Sequence, residues 1–182
     1  AGKTTLIKSS IVNLLFIQQV GYGFFDSAKT STFDYIHCYL NIPDSCSRDS
    51  LFQSEARRCK NILDTIKRNP NKRHFCIFDE LYSGTNPYEA ISSAYAYLDT
   101  ISKNKNVRFL LTTHFIRLCK LLKDNKKIKN KSMKTIVENY KATYTYKIND
   151  GISTIKGGVS VLKQLNYPDN IIKMTKTILD KI

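Results

Sequence analysis

The chain has 182 residues, 29 Lys and Arg against 15 Asp and Glu, and a net charge of +14. That length suits one domain with a real core, and no apolar stretch reaches membrane-spanning length, since Leu6 to Phe16 is broken by Lys8, Ser9, Ser10 and Asn13. Five widely spaced cysteines with no Cys-x-x-Cys or Cys/His cluster exclude a zinc framework and read as reduced thiols of an intracellular protein. The charge does not by itself select a polyanion partner. The 22 lysines accompany many Asn, Ile, Tyr and Phe, all with A/T-rich codons, so genome bias produces the same excess. The seven lysines between Lys120 and Lys134 read as a solvated loop or helix face.

In chain order, Ala1-Gly2-Lys3-Thr4-Thr5 holds the end of the phosphate-loop pattern G-x-x-x-x-G-K-[ST]. The expectation is a single domain over 1–182 whose sequence starts inside that loop. Thr4 to Gln19 runs without Gly or Pro and predicts a helix, closed by Gly21-Tyr22-Gly23. Thr32 to Leu40 predicts one or two β segments, and Asn41 to Asp49 a polar loop around Pro43. Ser50 to Lys67 is helical, with Leu51, Phe52, Ala56, Cys59, Ile62, Leu63 and Ile66 near i, i+3, i+4 spacing, and Asn69-Pro70-Asn71 stops it. His74 to Phe78 is an apolar run of the kind a central parallel strand needs. Asn86, Pro87 and Glu89 fall at N-cap, N1 and N3 of a helix to about Lys103. Val107 to Thr112 is a second buried strand and Phe115 to Leu122 a helix. Thr135 to Ile148 reads as a two-stranded antiparallel piece, followed by two helices split by Pro168. Alternating strands and helices predict an α/β fold with a mainly parallel central sheet, covered by helices on both faces, and a small antiparallel β piece.

Four places carry chemistry. Backbone N–H groups and the dipole at a helix N-terminus make an anion site, where Gly2, Lys3, Thr4 and Thr5 cradle phosphates, Lys3 reaches the β- and γ-phosphates and the Thr4 hydroxyl holds Mg²⁺. Asp79 ends an apolar strand and supports Mg²⁺, and Glu80 beside it polarises the attacking water as general base. His114, just after another buried strand, contacts the γ-phosphate, because ligands of open α/β sheets bind at the carboxyl edge of the strands. Ser50 opens a capping box with Gln53 and also presents a hydroxyl and free N–H groups to an anion.

These elements, in this order, resemble the ATPase domain of the MutS family of DNA mismatch-repair proteins, ABC-type members of the P-loop NTPases. Ser50-Leu51-Phe52-Gln53-Ser54-Glu55 is similar to the family's S-T-F-x-x-E. The run from Asp79 to Asn86 is similar to D-E-x-G-R-G-T-S, and Thr112-Thr113-His114-Phe115 to A-T-H-[YF]. Asp150-Gly151-Ile152-Ser153, Gly157-Gly158-Val159 and Tyr167 to Ile172 resemble the family's D-G-x-x-x-x-S-Y-G-I and A-G-x-P-x-x-V-I. The departures are Arg48-Asp49 ahead of Ser50, Tyr82-Ser83 in place of Gly-Arg, and the missing Ser-Tyr pair after Ser153. The resemblance implies ATP and Mg²⁺ as cofactors, a homo- or heterodimer through the ATPase face with Ser50 acting in trans, and DNA bound by domains outside 1–182, with no membrane partner. It also implies hydrolysis that drives DNA (mismatch) binding and a clamp-like switch. The rival readings are an ABC-type ATPase of chromosome maintenance, whose L-S-G-G-type signature the sequence lacks, and a non-catalytic basic nucleic-acid-binding module.

Overall fold

The computed structural model describes residues 2–40, 50–138, 141–153, 157–179 and 181. The expected loop Asn41 to Asp49, with the departure at Arg48-Asp49, lies outside them. Two compact units are present, residues 2–130 and residues from Lys131 onward.

The first unit is built on three strands, β1 (Tyr35–Tyr39), β2 (His74–Asp79) and β3 (Val107–Thr112), parallel and in the spatial order β1-β2-β3. Between and around them run α1 (Lys3–Val20), α2 (Leu51–Arg68), α3 (Pro87–Ser102) and α4 (Ile116–Leu121). The helix expected over Phe115 to Leu122 has Phe115 as its N-cap, is α-helical from Ile116 to Leu121, and runs on past the expected end as a 3₁₀ turn, Leu122–Asp124. Asn125 follows in extended conformation.

Local sequence explains the helix ends. Gly21 closes α1 in the left-handed conformation, where its N–H caps the carbonyls of Phe16 and Ile17. Ser50 accepts from the Gln53 N–H, and the Gln53 side chain accepts from the Ser50 N–H, so the capping box is complete. Asn86 accepts from the N–H groups of Tyr88 and Glu89, with Pro87 at N1.

Helices cover both faces of the sheet, as the alternating pattern requires. On one face, Cys59, Ile62 and Ile66 of α2 and Ala94, Leu98 and Ile101 of α3 enclose Phe78, whose ring meets those of Tyr39, Tyr97 and Phe109. On the other, Ile7 and Ile11 of α1 cover Ile77, with Ile36, Cys38 and Phe75 beside them. Phe78 is wholly buried, and truncation to Ala there costs about 3–5 kcal/mol by the usual transfer and cavity terms.

At the amino end of the strands, Tyr35, His37 and His74 stack. The Asn69 carbonyl can only accept, so His74 Nε2 carries the hydrogen at 3.0 Å. His74 Nδ1 then accepts from His37 Nε2–H at 3.1 Å. Burial, then the neighbouring His74 and Arg58, pushes His37 down to about 4. Cys38, Cys59, Cys76 and Cys119 are free thiols, as the spacing predicts.

The second unit holds an antiparallel pair, β4 (Lys131–Glu138) and β5 (Lys141–Asp150), longer at both ends than the sequence suggests and irregular in register between Met133 and Thr135. It also holds α5 (Gly158–Gln164) and α6 (Asp169–Leu179). Among the described residues no helix is long and apolar enough to cross a membrane. All seven lysines from Lys120 to Lys134 are exposed.

Candidate functional site

The carboxyl ends of β2 and β3 and the start of α1 meet at one edge. Gly2 adopts φ 83°, a left-handed conformation, and caps α1 with backbone alone: among the described residues no side chain caps the helix, and no acid lies in its first turn. Both α2 and α3 are capped by side chains. The N–H groups opening α1 are therefore left for an anion, with Lys3 half-buried and Thr5 exposed on the same turn.

Parallel register sets Asp79 against Thr112. The Asp79 Oδ1 atom accepts from the Thr4 hydroxyl at 2.9 Å, across 75 residues, and from the Thr112 hydroxyl. Two hydroxyls and a carboxylate thus converge beside an open helix N-terminus. This hard-oxygen set suits Mg²⁺.

Glu80 follows directly, anchored by its N–H to the Thr112 carbonyl at 3.0 Å, and its backbone turns left-handed at φ 50°. Its carboxylate lies 3.4 Å from His114 Nδ1, and both side chains stay substantially exposed, 44% and 55%. An exposed pair of this kind adds little stability. What it fixes is the direction of each group. The His114 ring leans on Phe115 at 4.3 Å.

The structure therefore brings Thr4 to Asp79 and Glu80 to His114, on one edge as the sequence predicts. Ser50 stands apart from these pairs: it is exposed at the N-cap of α2, and among the described residues its side chain is hydrogen-bonded only within the capping box.

Sequence reasoning missed three residues here. Thr112 was legible only through its register partner Asp79. Glu55 accepts from the Ser83 N–H and hydroxyl, both at 3.1 Å, and from the Gly84 N–H at 3.0 Å, so it holds the loop after Glu80. The signal was present: Glu55 stands between Leu51 and Cys59 at i, i+4 spacing, a charge on the buried stripe of α2. Tyr39, buried at the end of β1, accepts from the Tyr82 N–H at 3.3 Å and donates to Glu55. Burial, more than the adjoining Glu55, pushes its hydroxyl far up, so it remains protonated.

An open α/β sheet with a bare helix N-terminus, a hydroxyl–carboxylate pair and a second carboxylate at its carboxyl edge defines the P-loop class of nucleotide-hydrolysing domains. The sequence matches the family model for MutS domain V over residues 1–182, and the chain belongs to that family. It is 28% identical over 180 residues, 98% of its length, to the DNA mismatch repair protein MutS of Persephonella marina, and 29% identical over 185 aligned residues to that of Phocaeicola vulgatus. The chain spans about a fifth of the length of these relatives, 20% and 21%.

Proposed function

We propose that this chain binds and hydrolyses ATP as the ATPase domain of a MutS-like protein of DNA mismatch repair. Hydrolysis drives DNA (mismatch) binding and clamp switching, with the DNA held by other domains and with two ATPase faces forming a homo- or heterodimer. The observation behind the reading is the Thr4–Asp79 hydrogen bond of 2.9 Å at the uncapped start of α1.

Each residue has a task that its position allows. Gly2 and Thr5 lie on the turn whose N–H groups and dipole favour phosphate oxygens. Lys3 adds positive charge to the same anion. Thr4 and Asp79 would hold Mg²⁺, which when bound would neutralise phosphate charge. Thr112 keeps Asp79 in place by donating to the oxygen that Thr4 also uses. Glu80 accepts a proton from the attacking water, and His114, held 3.4 Å from it, contacts the γ-phosphate. Ser50 acts in trans, its hydroxyl hydrogen still available because the cap uses only its oxygen.

The test is Glu80→Gln in a chain extended upstream so that the whole G-x-x-x-x-G-K-[ST] pattern is present. The variant should bind a fluorescent ATP analogue as the parent does and lose turnover by about 10²- to 10⁴-fold, the range for general-base removal. Unchanged turnover removes Glu80 from its role. A parent that neither binds nor hydrolyses ATP overturns the reading.

A further inference from the structure

Resting on the ATPase reading above, we propose that Glu55 is a positioning residue that fastens the first turns of α2 to the loop carrying Glu80, so that the Ser50 end of α2 and the Glu80 carboxylate move as one body.

Glu55 is a buried carboxylate, 2% exposed, and its described partners are neutral donors. One oxygen accepts from the Ser83 N–H and hydroxyl, the other from the Gly84 N–H, and the Tyr39 hydroxyl donates to it as well. A buried carboxylate is costly unless its lone pairs are filled, and here three of the described donors come from one short loop.

That loop needs holding. Glu80 and Tyr82 both stand in the left-handed region, at φ 50° and 59°, which side-chain-bearing residues avoid. Such conformations persist only where the surroundings over-determine them. The fixed points are the Glu80 N–H on the Thr112 carbonyl, the Tyr82 N–H on Tyr39, and the two N–H groups on Glu55. The Tyr82 ring is packed against Phe52 of α2 and Tyr97 of α3. There is no slack between loop and helix, because a Cβ on Gly84 would come within 2.6 Å of Leu51 Cγ and 2.9 Å of the Phe52 nitrogen.

Ser50 and Glu55 belong to the same first turns of α2. A ligand that engages Ser50 therefore pulls on the helix that sets Glu80. In a dimer with Ser50 acting in trans, the nucleotide at one subunit reaches the hydrolytic carboxylate of the other through this carboxylate–loop clasp.

The experiment compares Glu55→Gln and Gly84→Ala with the parent in the extended chain, reading fluorescent-analogue affinity and the kcat–KM split for ATP. Gln keeps the volume of Glu55 but turns an NH₂ toward an N–H donor. Ala at 84 pushes the loop, with its N–H donor to Glu55, off α2 while leaving the Glu55 side chain itself unchanged. Both should leave analogue affinity within about twofold and lower kcat about tenfold or more, a barrier change near 1.4 kcal/mol. Glu55→Asp, which keeps the charge, should recover part of the loss. Parent-like kcat in both variants, or affinity and kcat falling together, overturns the inference and leaves the ATPase reading standing. A parent with no nucleotide binding and no turnover overturns both.

Discussion

The two ends of the parallel sheet carry similar side chains and treat them in opposite ways. At the amino end, His37 and His74 are stacked and hydrogen-bonded to each other and to a backbone carbonyl, with Tyr35 over them. At the carboxyl end, His114 is exposed and faces Glu80, α1 starts with no side-chain cap among the described residues, and Gly2, Glu80 and Tyr82 sit in left-handed backbone. A histidine such as His74, with both ring nitrogens hydrogen-bonded inside the fold, serves the fold. One held at the rim beside a carboxylate and a bare helix N-terminus is available to a ligand. The same residue type thus reads as structure or as chemistry according to what already satisfies it.

This contrast can be broken at either end. The largest effect belongs to Lys3→Ala, which should lower nucleotide-dependent turnover by roughly 10²- to 10³-fold, the cost of removing a preorganised charge donor, while the melting temperature barely moves. Steady-state kinetics beside a thermal melt check this. If the fold collapses instead, the carboxyl edge is structural and the contrast fails.

His74→Phe should do the reverse. It keeps the stack but leaves the Asn69 carbonyl and the His37 N–H without their partner, so urea unfolding should show a loss of about 1–3 kcal/mol. Affinity for a nucleotide analogue should stay unchanged.

Ser50 separates capping from function. Ser50→Ala should cost about 1 kcal/mol of stability, and Ser50→Asn almost nothing because Asn caps as well as Ser. Both should impair turnover that requires the dimer, since neither retains the hydroxyl. If Asn restores turnover along with stability, Ser50 is a cap alone.

A further effect is a slope. His37 is held down to about 4 in the fold, against 6.5 when unfolded, chiefly by burial. The unfolded chain therefore takes up the proton first as pH falls. The contribution of this residue is complete above pH 6.5, is lost progressively between pH 6.5 and about 4, and changes no further below that. Urea midpoints measured across this window should fall with pH, and His37→Asn should flatten that part of the profile.

What the sequence determined by itself was local or carried by residue identity. The capping box at Ser50, the Asn86-Pro87-Glu89 start of α3 and the Gly21 stop each depend on hydrogen bonds within about five residues, so their signals are contiguous in the chain. Strands β2 and β3 followed from short apolar runs, with Asp79, Glu80 and His114 at or just past the carboxyl ends of those runs, and Lys3 stood out through the Gly-Lys-Thr pattern at the start of α1. Tertiary structure decided what no local signal encodes. Register placed Thr112 on Asp79, packing carried Thr4 across 75 residues to the same oxygen, and the buried face of α2 set Glu55 against the N–H groups of Ser83 and Gly84. It also decided that His37 and His74 satisfy each other across 37 residues. The physical reason is range. Caps and periodicity are set by neighbours along the helix, whereas register and the filling of a buried lone pair depend on which distant backbone arrives there.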